Sequence, residues 1–198
     1  GKAGAKVPIN YANRLDRAEA AFEEYRRAGI ATTICQADVT DEASIDDLFG
    51  RIEKELGAVD IIVANATCSQ PLKPIEQYDW DFYQTMLDFF VKSPYLLARR
   101  ALPSMKQRRH GRFINITSEV YQRSVAPFSA YVAAKGGQIG WSRSMSQELA
   151  PFGITVNMIA PGWIPVERHD TDPQAMKDAY LKTIPAGRWG TPDDVANT

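Results

Sequence analysis

Short apolar runs alternate with longer amphipathic segments along most of this sequence, and this alternation constrains the fold more than any other feature. The apolar runs predict β-strands at Val7–Tyr11, Thr32–Ala37, Val59–Ala64, Arg112–Ile116 and Ile154–Ile159. The amphipathic segments predict helices at Leu15–Ala28, Asp41–Leu56, Trp80–Gln107 (bent at Pro94), Ser129–Ala150 and Asp172–Lys182, and a last one from Pro192.

Strands that are separated by helices of this length pair in parallel through right-handed crossovers. The run Ile61–Ala64 is apolar at every position, which is typical of a sheet covered by helices on both sides. The sequence therefore predicts one α/β domain over residues 1–198, a doubly wound, Rossmann-like parallel sheet. Ligands bind such sheets beyond the carboxyl ends of the strands. The loops in question are those after Tyr11, Ala37, Ala64, Ile116 and Ile159.

Composition excludes several classes of protein. The net charge of -1 over 198 residues lacks the basic excess of a nucleic-acid binder. No apolar run approaches the length that crosses a bilayer, and no basic and apolar leader opens the sequence. Two cysteines are too few for a disulfide framework or a zinc site. We therefore expect a cytoplasmic protein with reduced thiols and no metal, nucleic-acid or membrane partner.

The residues with the clearest chemistry follow the fourth strand. Ser118 comes at its carboxyl end, and Tyr131 and Lys135 lie four residues apart in the helix that follows, so they share one helix face. An ammonium near a phenol lowers the phenol pKa, and a neighbouring hydroxyl can hold a substrate oxygen. Such a site can move a proton to or from an alcohol or carbonyl. The spacing alone fits an ordinary helix pair equally well.

Several motifs stand in order around these residues. They are Asn115–Ser118, Ser129–Gly136, Gly153–Asn157 and Pro161–Gly162. Together they resemble the short-chain dehydrogenase/reductase family over nearly the whole chain. The resemblance implies a single Rossmann domain, usually in a homotetramer, and reversible hydride transfer between NAD(P) and a small-molecule alcohol or carbonyl.

The resemblance also implies roles for individual residues. Tyr131 would be the general acid/base, Ser118 would orient the substrate oxygen, and Lys135 would lower the tyrosine pKa and hold the nicotinamide ribose. Further cofactor contacts would come from Asp38, Val39, Asn65, Ala66, Pro161, Gly162 and Ile164. Cys68 is expected to have a packing role beside this site.

The chain departs from the family pattern at several positions. Gly1–Lys6 is similar to the last turn of the family's first helix, so the first strand and the glycine-rich turn are apparently lacking. The sequence also stops before the family's final strand. Phe90 stands where an asparagine usually anchors a relay water. The other departures are Pro8 within a strand, Thr67 after Asn65–Ala66, and Val166.

These departures keep a second hypothesis open, a non-catalytic protein of the same fold with an assembly or ligand-binding role. A dehalogenase of this fold would typically carry arginine at position 135, and Lys135 argues against that reading.

Two more expectations concern partners. No acidic residue occurs in Asn10–Arg14, where a carboxylate would otherwise receive the ribose hydroxyls of NAD. Because Arg14 could pair with a 2′-phosphate, we expect NADP in preference to NAD.

The two long helices also carry more large apolar residues than one stripe requires, which predicts a homo-oligomer, a tetramer in the family. These residues are Phe89, Phe90, Tyr95, Leu96, Trp141 and Met145.

Overall fold

The computed structural model describes residues 1–198, apart from the Arg168 side chain. Its strands are β1 (Val7–Tyr11), β2 (Thr32–Gln36), β3 (Ile61–Ala64), β4 (Gly111–Ile116) and β5 (Ile154–Ile159). Its helices are α1 (Leu15–Arg27), α2 (Glu42–Glu55), α3 (Trp80–Leu87), α4 (Ser93–Arg108), α5 (Val120–Arg123), α6 (Ser129–Leu149), α7 (Gln174–Leu181) and α8 (Pro192–Ala196). The α/β prediction is therefore confirmed, and the helix and strand bounds differ from the predicted ones by a few residues at most, except in the long central helix.

All strand pairs are parallel, as predicted, but the strands form two sheets. One has the order β1-β2 and the other the order β3-β4-β5. Within residues 1–198, no strand pairs with both β1 and β3. Pro8 thus lies in a strand with one paired edge, where a missing ladder donor is tolerated.

The expectation that β3 is covered on both faces is wrong for this structure. Ile62 is buried, but Ile61 and Val63 are 50% and 54% exposed. The reason is the placement of the helices: α4 packs against β3, whereas α6 packs against β5 on the other side of the sheet. The outward residues of β3 therefore have no covering helix among the described residues.

The main core lies between the sheets and helices α2 and α4. Helix α2 buries Ile45, Leu48, Phe49 and Ile52, the positions at which a helical stripe is expected. Asp41 caps this helix by accepting a hydrogen bond from the Ser44 amide at 2.8 Å. The carboxyl end of β2 and Val39, which follows it in the chain, pack in the same buried cluster as these α2 residues.

The predicted long helix Trp80–Gln107 is divided by a π-helical turn at Asp88–Lys92. The Ser93 amide donates to the Asp88 carbonyl five residues earlier. Pro94, where we expected the bend, lies in the first turn of α4. It has no N–H to give to the Phe90 carbonyl four residues before it, so the ordinary helical ladder is interrupted at this point.

Candidate active site

The loops after β4 and β5 are joined by main-chain hydrogen bonds. The amide and the hydroxyl of Thr117 donate to the Ile159 carbonyl at 2.8 and 3.0 Å. The Glu119 amide donates to the Pro161 carbonyl at 3.2 Å. Ser118, between the two bonded residues, is buried and its Oγ accepts from the Val120 amide at 3.4 Å. The structure thus places the predicted serine beside the Pro161–Gly162 loop.

Lys135 reaches the same edge of the sheet from α6. Its Nζ donates to the Ile116 carbonyl at 2.6 Å and to Gln138 Oε1 at 3.0 Å. It also lies 3.8 Å from the centre of the Phe90 ring. We call these three partners, Ile116, Gln138 and Phe90, the lysine seat. The Lys135 side chain is almost fully enclosed, with 3% of the residue exposed.

Burial dominates the electrostatics of Lys135. Loss of water disfavours the ammonium and lowers the pKa of Lys135 to about 7, while the nearby Cys68 thiol acts in the opposite direction. The pKa of Cys68 is itself raised by burial. Cys68 packs against the cluster that contains Phe90 and Ala134, which agrees with its expected packing role.

Tyr131 lies one helical turn before Lys135 and is half-buried between two aromatic rings. Its ring meets Phe90 edge-on at 5.3 Å and Phe128 at 4.8 Å between centroids. The Lys135 ammonium is 5.6 Å from the Tyr131 ring centre. Tyr131 and Lys135 therefore lie together next to the strand end that carries Ser118.

Sequence reasoning missed the polar groups behind this site. Gln138 and Ser142 are buried on α6, three and seven residues after Lys135, where an apolar stripe would be expected. Ser142 donates to the Gln138 carbonyl at 2.7 Å and accepts from the Asn115 amide group of β4 at 2.8 Å. A glutamine and a serine in helical register with a candidate catalytic lysine are the signal that could have found them.

The residues expected to contact a cofactor lie in the loops beyond β2, β3 and β5. Asp38, Asn65 and Ala66 are exposed, whereas the Val39 side chain is buried in the core and can offer only its main chain. Thr40 donates to Asp38 with both its amide and its hydroxyl, which lowers the pKa of the Asp38 carboxyl. These loops follow the carboxyl ends of strands in both sheets, β2 in one and β3 and β5 in the other, which is where sheets of this kind bind dinucleotides.

Aromatic side chains cover the other part of the cleft. Tyr180 of α7 stacks on Trp189 at 5.6 Å and meets Trp163 edge-on at 5.4 Å. Its hydroxyl accepts from the Trp163 amide at 2.8 Å and donates to Glu119. We call Trp163, Tyr180 and Trp189 the aromatic cover. All three are half-buried.

A cavity of about 380 Å³ lies under the aromatic cover. It is lined by Glu119, Arg123, Gly162, Trp163, Ile164, Tyr180, Thr183, Ile184, Pro185 and Gly190. A Cβ at position 162 would stand 2.6 Å from the Tyr180 hydroxyl oxygen, so this close approach requires the glycine. Since Glu119 follows Ser118 directly, the cavity lies next to the loop that carries Ser118.

Arg14 does not point freely at a ligand as the sequence suggested. Its guanidinium forms two hydrogen bonds to Asp16, at 2.9 and 2.6 Å. These bonds to Arg14 lower the pKa of the Asp16 carboxyl to about 2. The Asp16 carboxylate lies two residues after Asn10–Arg14, the segment in which the sequence analysis found no acidic residue.

Comparison with known proteins identifies the class. The family described as Enoyl-(Acyl carrier protein) reductase matches residues 1–198. The chain is 34% identical over 197 residues to a 3-oxoacyl-(acyl-carrier-protein) reductase FabG of Staphylococcus epidermidis, covering 98% of this chain and 80% of the relative. It is also 30% identical over 199 residues to a 2-dehydro-3-deoxy-D-gluconate 5-dehydrogenase of Formosa agariphila, and that alignment covers 99% of this chain and 75% of the relative.

A solved structure is similar as well. The gluconate 5-dehydrogenase of Burkholderia cenocepacia, in complex with NADP and tartrate, superposes with a TM-score of 0.87 at 30% identity. The alignment covers 99% of this chain and 77% of that one. The chain therefore belongs to the short-chain dehydrogenase/reductase family, and it is an NAD(P)-dependent oxidoreductase. This finding favours the enzyme over the non-catalytic alternative.

The structure adds one finding on membranes. Among the described helices, none is both long enough and apolar enough to cross a bilayer.

Proposed function

We propose that the chain catalyses reversible hydride transfer between NADP and a small-molecule alcohol or carbonyl, with Ser118, Tyr131 and Lys135 as its catalytic residues. The observation that carries this proposal is the 2.6 Å hydrogen bond from Lys135 Nζ to the Ile116 carbonyl. That bond ties helix α6 to the strand end next to Ser118. Groups from two separate parts of the sequence, Ser118 after β4 and the Tyr131–Lys135 pair on α6, thereby lie close together, which supports a shared site.

The roles follow from the chemistry of each group. When bound, the nicotinamide ring supplies or accepts the hydride. In carbonyl reduction, negative charge develops on the substrate oxygen, and Tyr131 donates the proton that meets it. The Lys135 ammonium lowers the free energy of the resulting phenolate, because the charges are opposite and the surroundings are largely apolar. The Ser118 hydroxyl holds the same substrate oxygen in place.

The cofactor would be held by residues in the loops that follow the strands. These are Asp38 and the Val39 main chain after β2, Asn65 and Ala66 after β3, and Pro161, Gly162 and Ile164 after β5, with Tyr131 and Lys135 on α6. The exposed positions of Asp38, Asn65 and Ala66 support this assignment, and so does the lack of a side chain at Gly162 beside Tyr180.

A preference for NADP is supported by Arg14 and by the similar gluconate 5-dehydrogenase, which is in complex with NADP. Arg14 and Asp16 are 60% and 64% exposed at their side chains, and exposed ion pairs contribute little stability. A 2′-phosphate can therefore replace Asp16 as the bidentate partner of the guanidinium.

The test is steady-state kinetics of the purified protein with a 3-oxoacyl thioester and a keto-sugar acid, the two substrate types that the relatives suggest. We expect NADPH oxidation with at least one of them, and a higher kcat/KM for NADPH than for NADH. Absence of turnover with both substrates and both cofactors, in a folded protein, would overturn the proposal.

We also propose a cytoplasmic homo-oligomer, a tetramer by family resemblance. Tyr95 on α4 is 45% exposed, and Trp80 at the start of α3 is 68% exposed, which leaves apolar surface for a partner subunit. Phe90 and Leu96 do not contribute to such a surface because both are buried within the chain. Two free cysteines support the location. Light scattering that gives a monomer at micromolar concentration would argue against the assembly.

A further inference from the structure

The surroundings of the Lys135 ammonium are unusual for a buried cation. Its partners are the Ile116 carbonyl, the Gln138 amide oxygen and the face of the Phe90 ring, and none of the three carries a charge. A lysine ammonium has three N–H groups; the two oxygens accept two of them, and the ring face attracts the positive charge. The seat therefore supplies uncharged substitutes for the water that burial removed.

The seat is rigid on both sides. The Gln138 carbonyl accepts from Ser142, which accepts from Asn115 in β4, so this turn of α6 is tied to the sheet. Phe90 is 2% exposed and is turned toward Lys135 from the π-helical turn Asp88–Lys92. Gln138 is likewise 2% exposed, so both side chains that contact the ammonium have little freedom to move.

We propose that Gln138 and Phe90 are positioning residues for the reaction, and that together they hold the Lys135 ammonium where it can act on Tyr131. This inference rests on the proposed function only for the role of Tyr131. The placement of the lysine itself is a property of the folded chain.

Few other titratable groups lie close enough to the Lys135 ammonium to affect its pKa. The titratable groups that face Lys135 are the Tyr131 phenol on its own helix and the Cys68 thiol from the loop after β3. Strand β4 offers it a main-chain carbonyl, and the π-helical turn offers it the Phe90 ring. Substitutions at position 138 therefore change one polar contact of the ammonium and leave its titrating neighbours in place.

The direct test is NMR of the full-length protein labelled with 13C at lysine Cε, with the Lys135 signal identified by its loss in Lys135→Met. We expect Gln138→Leu to lower the pKa of Lys135 by about 1, because it removes an acceptor from the charged form. Gln138→Glu keeps an oxygen and adds a negative charge, so it raises that pKa by about 1 or more. Phe90→Leu lowers it by a smaller amount.

Ser146→Ala is the matched control. Ser146 lies on the same helix, and its hydroxyl donates to the Arg143 carbonyl and has no contact with the lysine seat, so the pKa of Lys135 should not move. If Gln138→Leu does not fold, Gln138→Met serves the same comparison. A pKa of Lys135 that is equal in the wild type, the apolar variant and Gln138→Glu overturns the proposal.

Kinetics separate a positioning role from a packing role. In carbonyl reduction the Gln138→Leu variant should show a kcat about fivefold lower at pH 7 and a falling limb displaced to lower pH, because the ammonium that supports the phenolate loses its proton at lower pH. A loss of kcat that is equal at every pH indicates packing alone and contradicts the inference. If the pKa shifts occur but no hydride transfer is found, Gln138 and Phe90 do position the Lys135 ammonium, but the proposed function is wrong.

Discussion

The lysine seat and the aromatic cover lie at the same edge of the sheet but are built in opposite ways. The seat encloses Lys135, which is 3% exposed, with contacts from β4, α6 and the π-helical turn. The cover consists of half-buried rings, and its contacts with the rest of the cleft include the hydrogen bond from the Tyr180 hydroxyl to Glu119 and the Arg123 guanidinium over the Tyr180 ring. From this difference we expect fixed proton chemistry at the seat and adjustable access at the cover, as is common where loops cover a rigid scaffold.

The largest expected effect concerns the stability of the seat. Below pH 7, Lys135 is protonated in both the folded and the unfolded chain, and the full cost of burying the ammonium applies. From about pH 7 to 10.5 the folded lysine is neutral while the unfolded chain still binds the proton, so stability rises with pH. We expect the gap in free energy of unfolding between the wild type and Lys135→Met to change by up to about 5 kcal/mol over this range.

Urea unfolding followed by tryptophan fluorescence at several pH values measures this gap. Lys92→Met is the control, because Lys92 is exposed on the neighbouring π-helical turn and should give no such slope. A gap that stays constant from pH 6 to 10 would mean that burial does not lower the pKa of Lys135, and the contrast with the cover would disappear.

Tyr131→Phe should have the next largest effect. It removes the proton donor and keeps the ring that packs between Phe90 and Phe128. We expect kcat to fall by at least about 100-fold, close to 3 kcal/mol in the barrier, with NADPH affinity nearly unchanged. Fluorescence titration and steady-state kinetics measure the two quantities. Full kcat in this variant would refute the assignment of the general acid/base.

Tyr180→Phe tests the cover. It removes the hydrogen bonds to Glu119 and to the Trp163 amide but keeps the stacking on Trp189. We expect KM for the substrate to rise by roughly tenfold and kcat to change much less, because the bonds are remote from the reacting proton. Tyr25→Phe on α1 is the matched control. Should kcat fall as strongly as in Tyr131→Phe, the division between fixed chemistry and adjustable access is wrong.

Substitutions of Arg14 and Asp16 should have the smallest effect on activity, because both side chains are more exposed than those of the cover. Asp16→Asn frees the guanidinium and should raise the ratio of kcat/KM for NADPH over NADH by about threefold, whereas Arg14→Gln should lower it by a similar factor. Kinetics with both cofactors test the pair. Equal ratios in both variants would exclude Arg14 from phosphate recognition.

The sequence predicted the strands and most helices well because their patterns are local. Apolar runs such as Val7–Tyr11 and Ile154–Ile159 have the same bounds in the structure. The division into two sheets and the exposure of Ile61 and Val63 depend on which helix packs against which strand, and no local pattern records that. The π-helical turn was missed because its cause, the missing N–H of Pro94, acts four residues upstream.

In the candidate site, motif order and spacing predicted Ser118, Tyr131 and Lys135, which the structure brings to one edge of the sheet; their roles remain predictions. The sequence analysis missed Gln138 because glutamine is mostly exposed in proteins, and its burial here depends on neighbours that the sequence pattern does not show. Asp16 was missed as the partner of Arg14 because the pairing depends on side-chain direction at the start of α1.

The π-helical turn at Asp88–Lys92 makes the site sensitive to length changes far from the catalytic motifs. Each residue of a helix advances the chain by about 100° around the axis. Deleting one residue from this turn would restore an ordinary α-helix and rotate everything before it, including all of α3, by that angle relative to α4. Phe90 would then leave the face of Lys135, or α3 would leave its packing against α6. A single-residue deletion there should therefore disturb the lysine seat although it removes none of the catalytic motifs.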